Sequence, residues 1–162
     1  MTLAHDAGPK DVPLIHQTIG DNLAETVARY PDNEALVVPY QGVRLTYTEF
    51  AAEVDRVARG LLALGVAKGD RIGIWSPNNA EWVLIQYATA RIGAILVNIN
   101  PAYRTSELEY ALNQSGCRFL ISAPQFLSSD YRAMVEEVAP SVPSLERTSV
   151  SYTHLRAHET SR

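Results

Sequence analysis

The sequence is short of several residues from which active sites are commonly built. Its 162 residues contain a single cysteine, Cys117, so neither an intrachain disulfide nor a cysteine-built metal site can form. Lys10 and Lys68 are the only lysines among the 14 cationic residues, which leaves two candidates for any lysine-dependent chemistry. Apolar runs such as residues 82–85 are far too short to cross a bilayer, so we expect no transmembrane segment.

Charge and composition exclude further classes of protein. The net charge is −4 without any block of like charges, so we expect no nucleic-acid partner and no anionic membrane surface. With 46% hydrophobic and 20% charged residues, the chain is typical of one globular domain. Residues 1–17 lack the apolar core of a secretion signal, and we predict an irregular leader on a cytoplasmic protein. No feature of the sequence indicates an oligomeric state.

Glycine-rich phosphate-binding motifs are also absent. The sequence contains no G-x-x-x-x-G-K-[ST] loop. The turn that follows the first strand of its α/β region is Ser76–Asn79, which has no glycine and so cannot form the G-x-G-x-x-G fingerprint of dinucleotide-binding folds. A Rossmann-like nucleotide-binding oxidoreductase domain is therefore kept only as an alternative. A truncated, non-catalytic interaction module is the other alternative.

The first third of the chain predicts a helix over residues 23–30, then a hairpin, then a longer helix. The hairpin strands are Glu34–Val38 and Val43–Thr46, separated by a Tyr-Gln-Gly turn. Thr46 and Glu49 have the spacing of a capping box. The apolar residues that follow recur at helical intervals: Tyr47, Phe50, Ala51, Val54, Val57, Ala58, Leu61 and Leu62.

Beyond residue 70, strands alternate with helices, which predicts right-handed βαβ units and a parallel sheet. The predicted strands are residues 72–75, 94–97 and 119–121. The predicted helices are residues 80–91 with Asn78 or Asn79 as cap, a helix from Thr105 or Ser106 to Gln114, and one from Ser128 or Ser129 to Val138.

Several polar positions have a structural interpretation. In the turn Gly65–Arg71 we expect Asp70 to bond the local backbone. Asp55 and Arg59 have the i, i+4 spacing of an ion pair, and Arg91 is expected to complement a helix dipole. The loop Asn98–Arg104 follows a strand at the end where α/β folds bind ligands, but an ordinary turn begun by the Asn-Pro pair, with a tyrosine packed on the sheet edge, explains it more simply.

The histidines do not form a metal site. His5 and His16 lie in the leader and are not part of a recognisable metal-ligand or catalytic pattern. His154 and His158 are four residues apart, but Arg162 stands where an H-E-x-x-H motif needs its second histidine. From about residue 148 onward the apolar residues do not recur at strand or helix intervals, so we predict neither element there. Residues 148–162 resemble a non-native read-through. The predicted organisation is thus a leader (1–17), a partial domain (18–147) and this tail.

Three segments together resemble the adenylate-forming acyl-CoA synthetases. They are Leu45–Phe50, Gly65–Ile74 and Arg91–Asn98, and the resemblance extends over about residues 19–147. The segment from Asn98 to Ile121 is most similar to the medium- and long-chain fatty-acyl branch. The resemblance implies an α/β fold in which this chain is an incomplete amino-terminal part of the family's large domain, with βαβ units, a parallel sheet and an amino-terminal hairpin.

The resemblance also implies a reaction and its cofactors. A small-molecule carboxylic acid would react with ATP and Mg²⁺ to give an acyl-adenylate and pyrophosphate, and coenzyme A would then displace AMP. The family's lysine-bearing phosphate loop has no counterpart before Arg162, so we assign no catalytic, cofactor-binding or metal residue and expect this chain alone to be inactive. Segment Ala123–Tyr131 lies near where some relatives approach the nucleotide of coenzyme A, yet it contains no cationic phosphate ligand.

Overall fold

The fold is built around a four-stranded parallel sheet. A computed structural model describes residues 7–9, 11 and 13–150, apart from the side chain of Val150. The helices are α1 (Ile19–Arg29), α2 (Tyr47–Ala63), α3 (Ala80–Ile92), α4 (Thr105–Ser115) and α5 (Tyr131–Val138). The strands are β1 (Glu34–Val38), β2 (Val43–Thr46), β3 (Arg71–Trp75), β4 (Ile95–Ile99), β5 (Phe119–Ser122), β6 (Gln125–Phe126), β7 (Ser129–Asp130) and β8 (Arg147–Val150).

The sheet has the order β4-β3-β5-β8, and β1 and β2 form a separate antiparallel hairpin. The predicted α/β class, with βαβ units and an amino-terminal hairpin, is confirmed. Paired residues in parallel strands face the same side of a sheet, so the register Ile121–Ser149 places these two side chains on one face. Helices cover both faces, as a parallel sheet requires.

Alternation along β5 divides the core in two. Phe119 and Ile121 pack beneath α2 with Val54, Leu61 and their neighbours. Leu120 points the opposite way and packs with residues of α4 and α5, of which Leu108, Leu112, Val135 and Val138 are buried. The strands therefore bury side chains on both sides, which explains why they appear in the sequence as continuous apolar runs.

Local signals predicted the start of two helices correctly. The Thr46 hydroxyl accepts from the Glu49 amide at 3.2 Å, and the Glu49 carboxylate accepts from the Thr46 amide at 2.8 Å. These bonds hold the pKa of Glu49 below its usual value. Asn79 caps α3 by accepting from the Trp82 amide at 2.8 Å. Both caps need only residues three apart in sequence.

Other helix starts were predicted incorrectly. Helix α5 begins after Asp130, which accepts from the Ala133 amide at 3.1 Å, and not after Ser128 or Ser129, because those serines belong to the β6–β7 hairpin. Helix α4 has Arg104 in the cap position, and its amide donates to Glu107 at 3.1 Å.

The first helix was also predicted too short. Helix α1 begins at Ile19, four residues before the predicted apolar stripe, since Thr18 accepts from the Asp21 amide at 3.1 Å and supplies the cap.

Two further predictions need correction. Asp55 bonds Arg91 of α3 at 2.6 Å, because α2 and α3 pack together, instead of the predicted Arg59. Residues 148–150 belong to strand β8, paired with β5, although no strand was predicted there. The predicted absence of a strand is thus wrong for these three residues, and the domain boundary after residue 147 stays a prediction. Residues 151–162, including both tail histidines, lie outside the described part, and their read-through origin stays a prediction.

Candidate ligand-binding edge

Three loops meet at the carboxyl edge of the sheet. They follow β3, β4 and β5 and comprise residues 76–79, 100–104 and 123–130. Parallel α/β sheets bind ligands outside this edge, where strand ends and helix starts come together. The side chains that these loops present therefore define the candidate site.

The first loop uses its polar groups internally. The side-chain oxygen of Gln41, Oε1, accepts from the Ala80 amide at 2.7 Å, and its side-chain nitrogen, Nε2, donates to the Glu81 carboxylate at 2.8 Å. The Tyr40 hydroxyl donates to the Asn78 carbonyl. Side chains from the β1–β2 turn thus occupy the start of α3, where a dinucleotide fold would hold its pyrophosphate. This geometry argues against the Rossmann-like alternative.

The second loop is an asparagine-started turn, as predicted. The Asn100 side chain accepts from the Ala102 amide at 2.9 Å, and its carbonyl accepts from the Tyr103 amide at 3.0 Å. The same carbonyl accepts from Trp75 Nε1 at 3.0 Å. Tyr103 was expected to pack on the sheet edge, but 36% of its surface is exposed.

A buried aromatic pair joins the second loop to the third. The rings of Trp75 and Tyr131 stack with centroids 3.6 Å apart and an interplanar angle of 7°. Tyr131 donates its hydroxyl to the carbonyl of Pro101, and its burial raises the pKa of that hydroxyl to about 12. Each ring therefore has its one polar atom bonded to a backbone carbonyl of the Asn100–Pro101 turn, which fixes this turn against the body of the fold.

The third loop brings an exposed apolar residue into the site and meets a cation of the second loop. Leu127, at the turn between β6 and β7, is 86% exposed and has φ 51°, a conformation that leucine rarely adopts. Arg104 donates to Ser129 at 2.8 Å. The segment itself contains no cation, and the sequence did not show this contact because Arg104 lies 25 residues before Ser129 along the chain. A positive charge therefore lies beside the hairpin at the carboxyl edge.

Lys68 is located away from this site. Its turn precedes β3 and so lies at the amino edge of the sheet, where the Lys68 stem packs against Gly93. Asp70 in the same turn accepts from the Ala67 amide at 2.7 Å, as expected, and also from Arg118 at 2.6 Å. The turn is thus a structural element, and Lys10 lies outside the described residues.

Within residues 13–150 and the few described before them, no three His, Cys, Asp or Glu side chains come together as a possible metal site. The helices of this same part of the chain are too short or too polar to cross a membrane. Cys117 is buried near Ser115, and desolvation raises the pKa of its thiol, so it is not an activated nucleophile.

The parallel sheet, with helices on both faces and polar loops at its carboxyl edge, defines the chain as an α/β domain. The chain belongs to the AMP-binding enzyme family, whose model matches residues 23–161. It is 45% identical over 138 residues to the medium-chain acyl-CoA ligase ACSF2, mitochondrial, of Mus musculus, an alignment that covers 85% of this chain and 22% of the ligase. The chain thus spans about a fifth of the length of this relative.

Solved structures give the same assignment. The N-terminal domain of FACL13 from Mycobacterium tuberculosis superposes with a TM-score of 0.78 at 27% identity, covering 87% of this chain and 36% of that one. A fatty acyl CoA synthetase of Mycobacterium tuberculosis gives 0.78 at 28% identity, covering 86% and 28%. The predicted family and its amino-terminal part are confirmed.

Proposed function

We propose that this chain is the amino-terminal part of an acyl-CoA ligase that acts on medium-chain fatty acids. The observation that carries the proposal is the 45% identity to a medium-chain acyl-CoA ligase over 85% of the chain. In the complete enzyme, the carboxylate would attack the α-phosphorus of ATP with release of pyrophosphate, and coenzyme A would then displace AMP. Mg²⁺ would neutralise charge on the triphosphate.

In that enzyme the described residues would serve to position groups at the carboxyl edge of the sheet. The carboxyl edge offers hydrogen-bonded loops, one exposed apolar tip and the Arg104 guanidinium, whereas Lys68 lies at the opposite edge. Charge neutralisation of a triphosphate needs several cationic or metal groups close together. We therefore propose that the 162-residue chain has no ligase activity by itself. We also propose that the protein is cytoplasmic, which fractionation of the producing cell would test.

The test uses two proteins. One is the chain itself, and the other is a chimera in which residues 19–150 replace the matching segment of the mouse ligase. We expect the chimera to release AMP with coenzyme A and fatty acids of graded length, with the best rate on medium-length acids, and the chain alone to release none above a blank. A folded but inactive chimera would contradict the proposed activity, and turnover by the chain that Lys68→Ala abolishes would contradict its proposed inactivity.

A further inference from the structure

Exposed apolar side chains surround the first helix, α1. Four large ones lie in it or directly beside it: Leu14, Ile15, Ile19 and Tyr30. Leu14 and Ile15, in the segment before the helix, are 80% and 74% exposed. Apolar residues scattered singly over a surface need no explanation, whereas a group of them marks an interaction surface. The surroundings of α1 therefore indicate a contact with a partner.

Ile15 lies between two depressions on this surface and lines both of them. One has a volume of about 230 Å³ and extends along α1 to Tyr30. The other has a volume of about 400 Å³ and reaches Ile19 and Tyr87 of α3. An exposed aliphatic side chain and depressions that can receive one thus occur on the same surface. A contact between two identical copies about a two-fold axis requires this kind of self-complementarity.

The segment that carries Ile15 is held against α1 by hydrogen bonds. The side-chain oxygen of Gln17 accepts from Asn22 at 3.2 Å, and its side-chain nitrogen donates to Glu25. Ile15 is two residues before Gln17, so its position relative to the helix is defined before any partner binds. Little conformational entropy is then lost when a partner covers it, which favours association.

The outward face of α1 carries charges of both signs. Four of its residues recur at helical spacing on the side away from the buried Leu23: Asn22, Glu25, Thr26 and Arg29. Glu25 and Arg29 bond each other at 2.6 Å, and both side chains remain exposed. If a second α1 crosses antiparallel, Glu25 of one helix lies opposite Arg29 of the other, and the reverse pair forms as well. The face is therefore complementary to itself in charge.

The position of this surface favours a second copy over a small ligand. Ligands of parallel α/β sheets bind at the carboxyl edge. Helix α1 instead packs chiefly on α2 and α3, so it lies outside the helices that cover the sheet. We propose that two copies of this chain associate through the outward face of α1. Ile15 of each copy enters a depression of the other, and Glu25 of each pairs with Arg29 of the other; the proposal does not depend on the ligase activity proposed above.

The first test uses the 162-residue chain itself. Sedimentation velocity from about 1 to 100 µM should show a monomer–dimer equilibrium, and the melting temperature should rise with protein concentration. Ile15→Glu should weaken the dimer roughly tenfold or more, because two-fold symmetry buries the new charge twice. Ala24→Glu is the matched control. Ala24 is exposed on α1 and lines neither depression, so its substitution should leave the dimer unchanged.

The second test reverses the charges of the proposed pairs. Glu25→Arg alone and Arg29→Glu alone should each weaken self-association roughly tenfold, because like charges then face each other across the two-fold axis. An equimolar mixture of the two variants should form a heterodimer, since one copy then offers two cations and the other two anions. Both positions are exposed, so each variant should retain the far-UV circular dichroism of wild type.

Several outcomes would overturn the proposal. A chain that stays monomeric over the whole concentration range has no such contact. Equal weakening by Ile15→Glu and Ala24→Glu, or a mixture of the charge variants that forms no heterodimer, would show that the contact does not use this face. A dimer that every one of these variants leaves intact would lie elsewhere on the molecule. A monomer that binds the hydrophobic dye ANS only after deletion of residues 1–6 would show that the chain's own first residues fill the depressions.

Discussion

The two edges of the sheet are held together by different physical means. At the carboxyl edge, the buried Trp75–Tyr131 pair bonds the turn at Asn100 and Pro101. At the amino edge, the half-exposed Arg118 side chain bonds Asp70 at 2.6 Å and Glu146 at 2.8 Å. Salt and moderate changes of pH have little effect on buried packing and hydrogen bonds, whereas dissolved ions screen the attraction between exposed charges. The buried contacts of the edge nearest the candidate site should therefore be less sensitive to salt than the ion pairs of the opposite edge.

The largest expected effect is from Trp75→Ala. Trp75 is fully buried and stacked, so its removal should lower the free energy of unfolding by about 4 kcal/mol, as for other large-to-small core substitutions. Urea denaturation of the chain gives the value. The other tryptophan, Trp82, is only partly buried and is the matched control. Equal losses of unfolding free energy from both alanine variants would show that the stacked Trp75 does not stabilise the carboxyl edge more than a partly buried tryptophan does. If Trp75→Ala does not fold, Trp75→Phe replaces it in the comparison.

Tyr131→Phe removes one hydrogen bond and retains the stacked ring. We expect a loss of about 1 kcal/mol in the free energy of unfolding, because the Pro101 carbonyl loses its partner. Hydrogen exchange should rise at the Tyr103 amide, which donates within the same turn. The fluorescence of Trp75 should change little. A variant as stable as wild type with unchanged exchange would mean that the hydroxyl does not fix this turn.

The amino edge should lose stability in acid because ion pairs hold it together. The bond from Arg118 holds the pKa of Glu146 below its usual 4.5. A carboxyl whose pKa is lowered by folding stabilises the fold above its unfolded pKa, and that contribution is lost as pH falls through the folded value. Arg118→Met should therefore lower stability at pH 7 and flatten its decline below about pH 4.5.

Two capping carboxylates form the background to this measurement. The pKa values of Glu49 and Glu107 are also lowered by hydrogen bonds, so wild type and Arg118→Met share their acid-dependent loss. Thermal melts at several pH values, at low and high salt, isolate the difference between the two proteins. If the melting temperatures of wild type and Arg118→Met fell in parallel with pH, the ion pairs of Arg118 would not contribute to the pH dependence of stability.

Sequence patterns predicted the elements whose signals are local. The Thr46–Glu49 box, the Asn79 cap and the core strands β3 and β5 each depend on residues within one short segment. The family could be recognised for the same reason, since its motifs are contiguous.

The site depends on contacts between distant residues, which no local pattern shows. Gln41 caps a helix 39 residues later, and Arg104 meets Ser129 across 25 residues. Strand β8 was missed because Arg147–Val150 is polar at its first three positions and shows no apolar alternation, so that it is identified chiefly by its pairing with β5. Its β-branched residues Thr148 and Val150 were the available signal.

The smallest expected effect concerns the tip of the carboxyl edge. Leu127 adopts φ 51°, which costs a residue with a Cβ roughly 1–2 kcal/mol that glycine avoids, while glycine adds about 0.5–1 kcal/mol of chain entropy to be lost on folding. Because Leu127 is 86% exposed and little packing is lost, Leu127→Gly should leave the free energy of unfolding unchanged or raise it by up to about 1 kcal/mol. Leu62→Gly in helix α2 is the control and should lower it by about 1 kcal/mol. Equal losses in urea denaturation would show that Leu127 is unstrained or well packed, so that the tip of the carboxyl edge contributes to the stability of the fold as an ordinary packed residue does.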